Sequence, residues 1–266
     1  MGEAKKLSGI PMMIFLVREK TISIIGAGSL GTAVIDALIE KGHQRIIATR
    51  RNNEQLDNLQ KQYGIKVSSD NNYAVENSEV VVLSVKLYLI EEVCSKIKDA
   101  AKDKLVISLA AAKSIAEIEE ILTRSRICRV MTGISVNDEV AAYTLGSVRA
   151  GADEIIIKYL FGGSAREVEE AALADRTWIA CDTGLIAKAI EHKISSLDRL
   201  SKEDARIMYA ATLEGIAKSM REGLTGEEIY NKVAGPGSFT GKLHDLLVES
   251  GAYDQMNECV KKTVNA

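Results

Sequence analysis

The chain has 266 residues, of which 46% are hydrophobic and 27% are charged, a composition typical of a globular protein with room for two modest domains. Its 34 basic and 37 acidic residues give a net charge of -3 and are spread along the chain, so no basic stripe is available to follow a phosphate backbone. Composition therefore argues against nucleic acid as a partner, and the lack of any apolar run of about 18 residues argues against a membrane-spanning segment.

The cysteines and histidines form no pattern typical of a disulfide framework or a metal site. Cys94, Cys128, Cys181 and Cys259 are far apart in sequence, without a CxxC pair or a zinc-like spacing to a histidine. We interpret them as reduced thiols of a cytoplasmic protein. Since the chain has only three histidines, we expect no metal.

Residues 1–20 are predicted to be a tail that precedes the first domain. The apolar segment at residues 9–17 follows two lysines and superficially resembles a signal peptide. It is short and runs almost directly into the first predicted strand, so cleavage there would leave no spacer. Met12 or Met13 would serve equally well as the start of the protein.

From residue 21 to about residue 147, short apolar runs alternate with amphipathic segments, which is typical of repeated βα units around a parallel sheet. Compact runs rich in Val and Ile predict buried strands at Thr21–Ile25, Arg45–Thr49, Val80–Val85, Leu105–Leu109 and Ile127–Met131. Apolar residues at three- and four-residue intervals predict crossover helices at Leu30–Lys41, Glu54–Tyr63, Leu89–Lys98 and Ile115–Thr123. A last apolar run, Ala141–Val148, predicts an edge strand.

From Asp153 onward the pattern changes to continuous helical periodicity, which predicts a domain boundary near Ala150. The fold class is therefore predicted as α/β: a Rossmann-type, doubly wound parallel sheet at residues 21–150, followed by an all-α domain at residues 151–266. Amphipathic helices are predicted in the second half at Ile155–Phe161, Ala187–Leu197, Lys202–Arg221 and Leu243–Leu247.

A GxGxxG motif lies between the first predicted strand and the first predicted helix, which is the context that dinucleotide binding requires. Gly26 permits the tight turn, Gly28 lets the backbone approach a pyrophosphate, and Gly31 lets the helix pack closely on the strand. The free N–H groups of such a helix terminus face the anion. We expect the pyrophosphate to be held by Gly26, Gly28, Ser29, Leu30 and Gly31.

The residues after the second predicted strand indicate which dinucleotide is bound. NAD-selective proteins usually present an Asp or Glu there to the ribose hydroxyls, whereas this chain has Arg50 and Arg51. A guanidinium group binds phosphate through a planar fork, and a carboxylate would repel the 2′-phosphate. The two arginines favour NADPH, with NADH as the alternative cofactor; two merely solvated arginines are the competing interpretation.

Five segments between residues 21 and 247 resemble motifs of the pyrroline-5-carboxylate reductase family. The fifth segment, Gly235–Thr240, contains Pro236, which is one of only two prolines in the chain. This proline is expected to stiffen a glycine-rich loop. The segments are Gly64–Val67, similar to the approach to the family's third strand; Asn77–Lys86, similar to its A-V-K-P cofactor loop and the residues before it; Ser108–Ala112, similar to S-x-A-A-G; Arg129–Thr132, similar to R-x-M-[PT]-N; and Gly235–Thr240, similar to S-P-G-G-T-T.

The resemblance implies an NADPH-dependent reductase of a small cyclic imine, which in this family is pyrroline-5-carboxylate reduced to proline. It implies that Ser84, Val85 and Lys86 line the nicotinamide side of the cofactor site. It also implies that Ala110 and Ala111 close over the nicotinamide ring, because small side chains there let the backbone approach.

In the helical half, the resemblance implies that Gly237 and Ser238 bind the substrate carboxylate. Thr240 would hydrogen-bond the imine nitrogen or a water beside it, so Thr240 and Lys86 are the candidate catalytic residues. A Gly-Pro-Gly-Ser loop before a helix can aim backbone N–H groups at a small carboxylate, in agreement with this assignment. The family's helical halves interleave, which implies a homodimer or higher homo-oligomer, although an all-α half of this length could also fold alone.

The chain departs from the family's motifs mainly where the substrate is expected. Leu87 replaces the Pro of A-V-K-P and Gly133 replaces the Asn of R-x-M-[PT]-N, both at the border of the cofactor site. In the substrate loop, Phe239 replaces the first Thr of S-P-G-G-T-T. Cys181–Ile186 also lacks the Pro of the family's G-[SC]-G-P-A motif. Three alternatives stay open: a related reductase of another imine or keto acid, a non-catalytic NADP-binding sensor, and reduction of NADP by a deazaflavin, which the long helical half disfavours.

Overall fold

The structure, a computed structural model, describes residues 15–235 and 237–264. Internal contacts divide the chain into two compact units, one that ends at Cys181 and one that begins at Asp182. Most of the tail predicted for residues 1–20 lies outside the described residues, as does the stiffening role predicted for Pro236. The domain boundary near Ala150, predicted from a change in sequence pattern, stays a prediction.

A single sheet of eight strands lies at the centre of the first unit. Its strands are β1 (Ile22–Ile25), β2 (Ile46–Thr49), β3 (Lys66–Ser68), β4 (Val80–Leu83), β5 (Leu105–Ser108), β6 (Arg126–Met131), β7 (Ala142–Leu145) and β8 (Arg166–Glu167). They lie in the order β3-β2-β1-β4-β5-β6-β7-β8, and every neighbouring pair is parallel except β6 and β7. The predicted α/β fold class is confirmed.

The inner strands are apolar throughout because the sheet is covered on both faces. Every residue of β1, β2, β4 and β5 is buried. Successive side chains of a strand point to opposite faces, and those of β1 belong to two separate cores: Ile22 and Ile24 to one, Ile25 to the other. Between β1 and β4 the strand order reverses, which in open α/β sheets creates a ligand-binding crevice at the carboxyl edge.

Among the described residues, the α-helices that lie entirely in the first unit include α1 (Ser29–Glu40), α2 (Asn53–Tyr63), α3 (Asn71–Glu76), α4 (Ile90–Ile97), α5 (Ile115–Ile121) and α6 (Asp153–Phe161). All the crossover helices and strands predicted for this unit are present, with small differences at their ends. β3 and α3 were not predicted from periodicity, because elements of three and six residues are too short to show it. Asp70 starts α3 by accepting hydrogen bonds from the Asn72 and Tyr73 N–H groups.

The strand predicted at Ala141–Val148 is present as β7, but its prediction as an edge strand is wrong. β8 pairs with β7 through Arg166 and Glu167 and takes the edge position. These two residues also correct the expectation of helices alone in the second half of the chain. A two-residue strand has no alternation that a sequence pattern can reveal.

α7 (Leu173–Ser195) begins in the first unit and continues into the second, and it contains the helix predicted at Ala187–Leu197 except for its last two residues. The remaining helices are α8 (Lys202–Arg221), α9 (Gly226–Val233), α10 (Phe239–Glu249) and α11 (Ala252–Val264). Of the described residues from Asp182 onward, the buried hydrophobic ones are Ile194 and Ala205. No helix in the described part of the chain is long and apolar enough to cross a membrane.

Candidate functional site

The glycine loop that follows β1 packs tightly at two of its glycines and is open at the third. Gly26 has a φ of +89°, and a Cβ there would lie 2.4 Å from Val85 Cγ1. A Cβ on Gly31 would lie 2.5 Å from Ser84 Oγ, whereas a Cβ on Gly28 would meet nothing closer than 3.9 Å. Packing therefore requires glycine at positions 26 and 31, while Gly28 leaves room for a ligand to approach the backbone.

The N-terminus of α1 offers backbone donors without partners. Gly28 is the N-cap residue, so no side chain caps the helix, and the first turn has no acidic residue. In the described part of the chain, the N–H groups of Ser29, Leu30 and Gly31 have no acceptor. Free N–H groups and the helix dipole together create a site that favours an anion such as a pyrophosphate.

Ser84 and Val85, at the end of β4, support this loop. The Ser84 hydroxyl is 3.2 Å from the Ile25 carbonyl oxygen and 3.0 Å from that of Gly26, so it donates to the backbone of the turn. Contact of either residue with a nicotinamide stays a prediction. Lys86 follows them and is exposed, and its Nζ has no partner among the described residues, which leaves it available to a ligand.

The end of β2 is tied to the glycine loop by polar contacts. Thr49 Oγ1 accepts from the Gly26 N–H at 3.2 Å and donates to Asn71 Oδ1 at 2.7 Å. Arg50 Nη1 donates to the Ala27 carbonyl oxygen at 2.8 Å, which places the guanidinium beside the loop. Sequence reasoning identified Arg50 but missed Thr49 and Asn71, because no local pattern links two residues that are 22 positions apart.

Arg51 is exposed and is the second cation at this end of the sheet. A hydrogen bond from Lys96 lowers the pKa of Glu92 on α4, and the positive charge of Arg51 lowers it further. Asn52 then caps α2 by accepting from the Gln55 N–H at 2.9 Å. The two arginines thus precede a helix N-terminus, a setting that suits a phosphate group.

The loop after β5 carries Ala110 and Ala111, which sequence analysis assigned to the nicotinamide. Ala110 is buried and Ala111 is exposed. Arg129 Nη2, on the neighbouring strand β6, donates to the carbonyl oxygens of both alanines, at 3.3 Å and 2.6 Å. Arg129 Nη1 in turn donates to Glu170 Oε1 at 2.6 Å. Motif resemblance pointed to Arg129, but no sequence signal identified Glu170, 41 residues away.

The loop after β6 explains one departure from the family's motifs. The Glu139 carboxylate accepts from the N–H groups of Gly133 at 2.9 Å and Ser135 at 3.3 Å, and it pairs with Arg176. A Cβ on Gly133 would lie 2.2 Å from Glu139 Oε1. Arg176 also donates from Nε to the Val140 carbonyl oxygen at 2.8 Å. A side chain at position 133 would therefore displace the carboxylate of Glu139, a residue that sequence reasoning missed.

The predicted substrate residues lie in the second unit, at the start of α10. Gly237 has a φ of +76°, and Ser238 is the N-cap, accepting from the Gly241 N–H at 3.0 Å. Phe239 and Thr240 begin the helix, and the Phe239 side chain is 94% exposed. The loop therefore presents helix N–H groups, a hydroxyl and an aromatic ring together. These residues belong to the second unit, whereas the predicted cofactor residues belong to the first.

Among the described residues, no group of three or more His, Cys, Asp or Glu side chains is arranged to hold a metal ion. Cys94 and Cys128 are buried thiols, and burial raises the pKa of Cys94 to about 11. The reactive groups of this edge of the sheet are thus backbone N–H groups, arginines and Lys86. Such groups bind and orient anionic ligands.

The nucleotide-binding half of the chain matches a known family model. The model described as "NADP oxidoreductase coenzyme F420-dependent" matches residues 21–112.

Curated relatives match the chain over most of its length. The pyrroline-5-carboxylate reductase of Corynebacterium melassecola is 30% identical over 248 residues, covering 87% of this chain and 91% of the relative. That of Methanosarcina acetivorans is 28% identical over 248 residues, covering 88% and 92%.

Solved structures agree in fold. A pyrroline-5-carboxylate reductase from Coxiella burnetii superposes with a TM-score of 0.75 at 25% identity, covering 92% of this chain and 96% of that one. A pyrroline carboxylate reductase from Plasmodium falciparum, crystallised with NADP bound, gives a TM-score of 0.81 at 16% identity, covering 93% and 97%. The second likeness, at this low identity, is a likeness of fold.

Proposed function

The chain belongs to the pyrroline-5-carboxylate reductase family, and on that premise we propose that it reduces pyrroline-5-carboxylate to proline with NADPH. The observation that carries the proposal is the match to a reductase over both the nucleotide-binding and the helical half. Bound NADPH supplies the hydride for the C=N carbon. The pyrroline nitrogen can arrive already protonated, so the protein's task is mainly to position the reactants.

The cofactor end of the proposal rests on residues at the carboxyl edge of the sheet. The open backbone at Gly28 and the free N–H groups at the start of α1 suit the pyrophosphate. Arg50 and Arg51 would bind the 2′-phosphate, which favours NADPH over NADH. NADH, without that phosphate, would bind more weakly at the same place.

We propose that Lys86, which follows β4, lines the nicotinamide side of the cofactor site, and that Ala110 and Ala111, which follow β5, close over the ring. We propose that Ser84 and Val85 border the nicotinamide while also supporting the glycine loop. Lys86, exposed and unpaired among the described residues, would orient the substrate by its charge. This keeps Lys86 as a candidate catalytic residue.

The substrate carboxylate is proposed to bind at the N-terminus of α10. The Ser238 hydroxyl accepts from Gly241 and keeps its own hydrogen to donate. Gly237 lets the backbone approach the ligand, and Thr240 supplies the hydroxyl for the imine nitrogen or a water beside it. Phe239 would form an apolar wall of this pocket.

We also propose a homodimer or higher homo-oligomer. Many large apolar side chains of the second unit are exposed, and an exposed apolar surface is typical of sites of association. They include Ile207, Met208, Met220, Val233 and Leu246, each more than half exposed. Sedimentation should give at least twice the chain mass of 28.9 kDa at micromolar concentration, and a stable monomer would contradict the assembly.

A cytoplasmic location is proposed from the reduced thiols.

A steady-state assay with pyrroline-5-carboxylate and NADPH tests the activity. Turnover that yields proline supports the proposal, and no turnover with NADPH binding intact contradicts it. Replacing Arg50 and Arg51 by Ser should raise the KM for NADPH much more than that for NADH. Equal effects on both cofactors would contradict the role of the two arginines.

A second candidate is reduction of another imine or a keto acid. It is favoured by the exposed Phe239, which reshapes the pocket wall where the family has a Thr. A panel of cyclic imines and keto acids, assayed with NADPH, separates the two candidates. No hydride transfer to any compound would favour the NADP-binding sensor. The deazaflavin alternative would share the N-terminal domain, and the family model whose description names coenzyme F420 matches residues 21–112.

A further inference from the structure

The loop after β5 has two successive carbonyl groups turned inward, and one side chain holds them both. Arg129 Nη2 donates to the carbonyl oxygens of Ala110 and Ala111. The Arg129 side chain is only 8% exposed, and it reaches the loop from β6, the strand that pairs with β5. Burying a guanidinium is costly unless its donors are used; Nη1 and Nη2 of Arg129 are used here, whereas Nε is buried without a partner.

Glu170 fixes the other end of the same loop. Its Oε1 accepts from Arg129 Nη1 at 2.6 Å and from the backbone N–H of Ile115 at 2.8 Å. Ile115 is the first residue of α5, where the loop ends. The Arg129–Glu170 pair therefore holds the loop at its start through two carbonyls and at its end through an N–H group.

The inward carbonyls determine where the neighbouring N–H groups point. In a planar trans peptide, the carbonyl of one residue and the N–H of the next point in opposite directions. No cis peptide bond occurs in the described part of the chain. The N–H groups of Ala111 and Ala112 therefore point away from Arg129. Neither has an acceptor among the described residues, and both residues are exposed.

We infer that Arg129 is a positioning residue that makes the Ala111 and Ala112 N–H groups a two-donor site for the carboxamide oxygen of the nicotinamide. Two adjacent backbone N–H groups suit an acceptor oxygen, and methyl side chains leave them accessible. The inference rests on the proposed function only in requiring an NADP dinucleotide at this edge of the sheet. A substrate carboxylate has the same acceptor chemistry, and the test below separates the two ligands.

The test compares the binding of two nucleotides by calorimetry in the absence of substrate. NADP⁺ carries the nicotinamide, whereas 2′,5′-ADP carries the adenosine and phosphates without it. Arg129→Met should weaken NADP⁺ binding by about tenfold, equivalent to about 1.4 kcal/mol, and leave 2′,5′-ADP binding unchanged. Arg129→Lys keeps the charge and three donor hydrogens, so its loss should be smaller.

Two further variants guard against a general structural effect. Glu170→Gln keeps an acceptor for the Ile115 N–H while weakening the ion pair, so it should reproduce a smaller part of the NADP⁺ loss. Arg149→Met is the matched control, because Arg149 also donates to two backbone carbonyls, those of Leu145 and Gly146, and to Glu167. It should change neither affinity.

Equal losses for NADP⁺ and 2′,5′-ADP in the Arg129 and Glu170 variants would overturn the inference in favour of a general structural role. Unchanged NADP⁺ binding with a raised KM for the imine would assign the donors to the substrate carboxylate and overturn the carboxamide assignment. These measurements need no turnover. A wild-type protein that binds NADP⁺ but does not reduce pyrroline-5-carboxylate would contradict the proposed function alone.

Discussion

Replacing Gly133 by Ala should destabilise the protein through its contact with Glu139. The added Cβ would lie 2.2 Å from Oε1 and 2.3 Å from Oε2 of that carboxylate, closer than any real contact allows. Gly133 is not among the glycines of positive φ, so its backbone conformation itself tolerates alanine. The cost therefore comes from displacement of the carboxylate.

The size of this destabilisation follows from the contacts that the Glu139 carboxylate loses when it moves. Glu139 accepts from two backbone N–H groups and pairs with Arg176, whose side chain is 9% exposed. Breaking a buried ion pair on one side costs about 3 to 5 kcal/mol. The carboxylate is displaced but not removed, so we expect Gly133→Ala to lower the free energy of unfolding by about 3 kcal/mol. This corresponds to a melting temperature lower by about 6 to 12 °C.

A double-mutant cycle tests the reasoning. Glu139→Ala alone should also be destabilising, because it leaves Arg176 unpaired, but it removes the atoms that the new Cβ would meet. In that background Gly133→Ala should cost about 1 kcal/mol or less, a coupling of about 2 kcal/mol. Melting temperatures are measured at one protomer concentration, since association would shift them.

Gly151→Ala is the matched control, because a Cβ there meets nothing within 4 Å, and it should change the melting temperature little. If Gly133→Ala costs as much in the Glu139→Ala background as in the wild type, the contact with Glu139 is not the cause. The explanation of this departure from the family's motif would then be wrong.

Two further predictions concern the first unit. Burial lowers the pKa of His43 below its ordinary value of 6.5, so the unfolded chain gains a proton at a higher pH than the folded protein does. Stability should therefore fall as the pH drops below about 6.5. In melting temperatures measured from pH 7.5 to 5, the fall should be smaller for His43→Gln than for the wild type. A difference in melting temperature between the two proteins that stays constant with pH would contradict this. In Gly31→Ala, the added Cβ should push against Ser84 Oγ at the start of α1. NADPH binding, measured by fluorescence titration, should weaken by at least about tenfold. Wild-type affinity in the variant would show that the loop can adjust without affecting the site.

Features that depend on neighbours in sequence could be predicted from the sequence. The glycine loop is one, because the spacing of Gly26, Gly28 and Gly31 between a strand and a helix is a local motif. The contacts with Val85 and Ser84 that exclude a side chain at two of these positions were seen only in the tertiary structure. The buried strands are another, because a strand covered on both faces must be apolar at every position. β8 and α3 were not predicted, since elements so short carry no period.

The polar contacts that hold the site depended on the tertiary structure. Arg129 meets Glu170, Glu139 meets Arg176, and Thr49 meets Asn71, and each pair is brought together by tertiary packing rather than by spacing in the sequence. Motif resemblance drew attention to Arg129 and to the unusual Gly133, but it did not explain either residue. Their explanation required knowing which side chain lies beside them.

The sequence by itself determined the α/β fold class and the place of the glycine loop, and it identified Arg50 and Arg51 as the residues expected to favour NADPH, because each of these is read from residues that are close together in the sequence. Only the tertiary structure decided that Glu139 excludes a side chain at position 133 and that Arg129 turns two carbonyls inward. Such contacts join residues from separate elements. Their partners are chosen by packing, which periodicity and motifs do not encode.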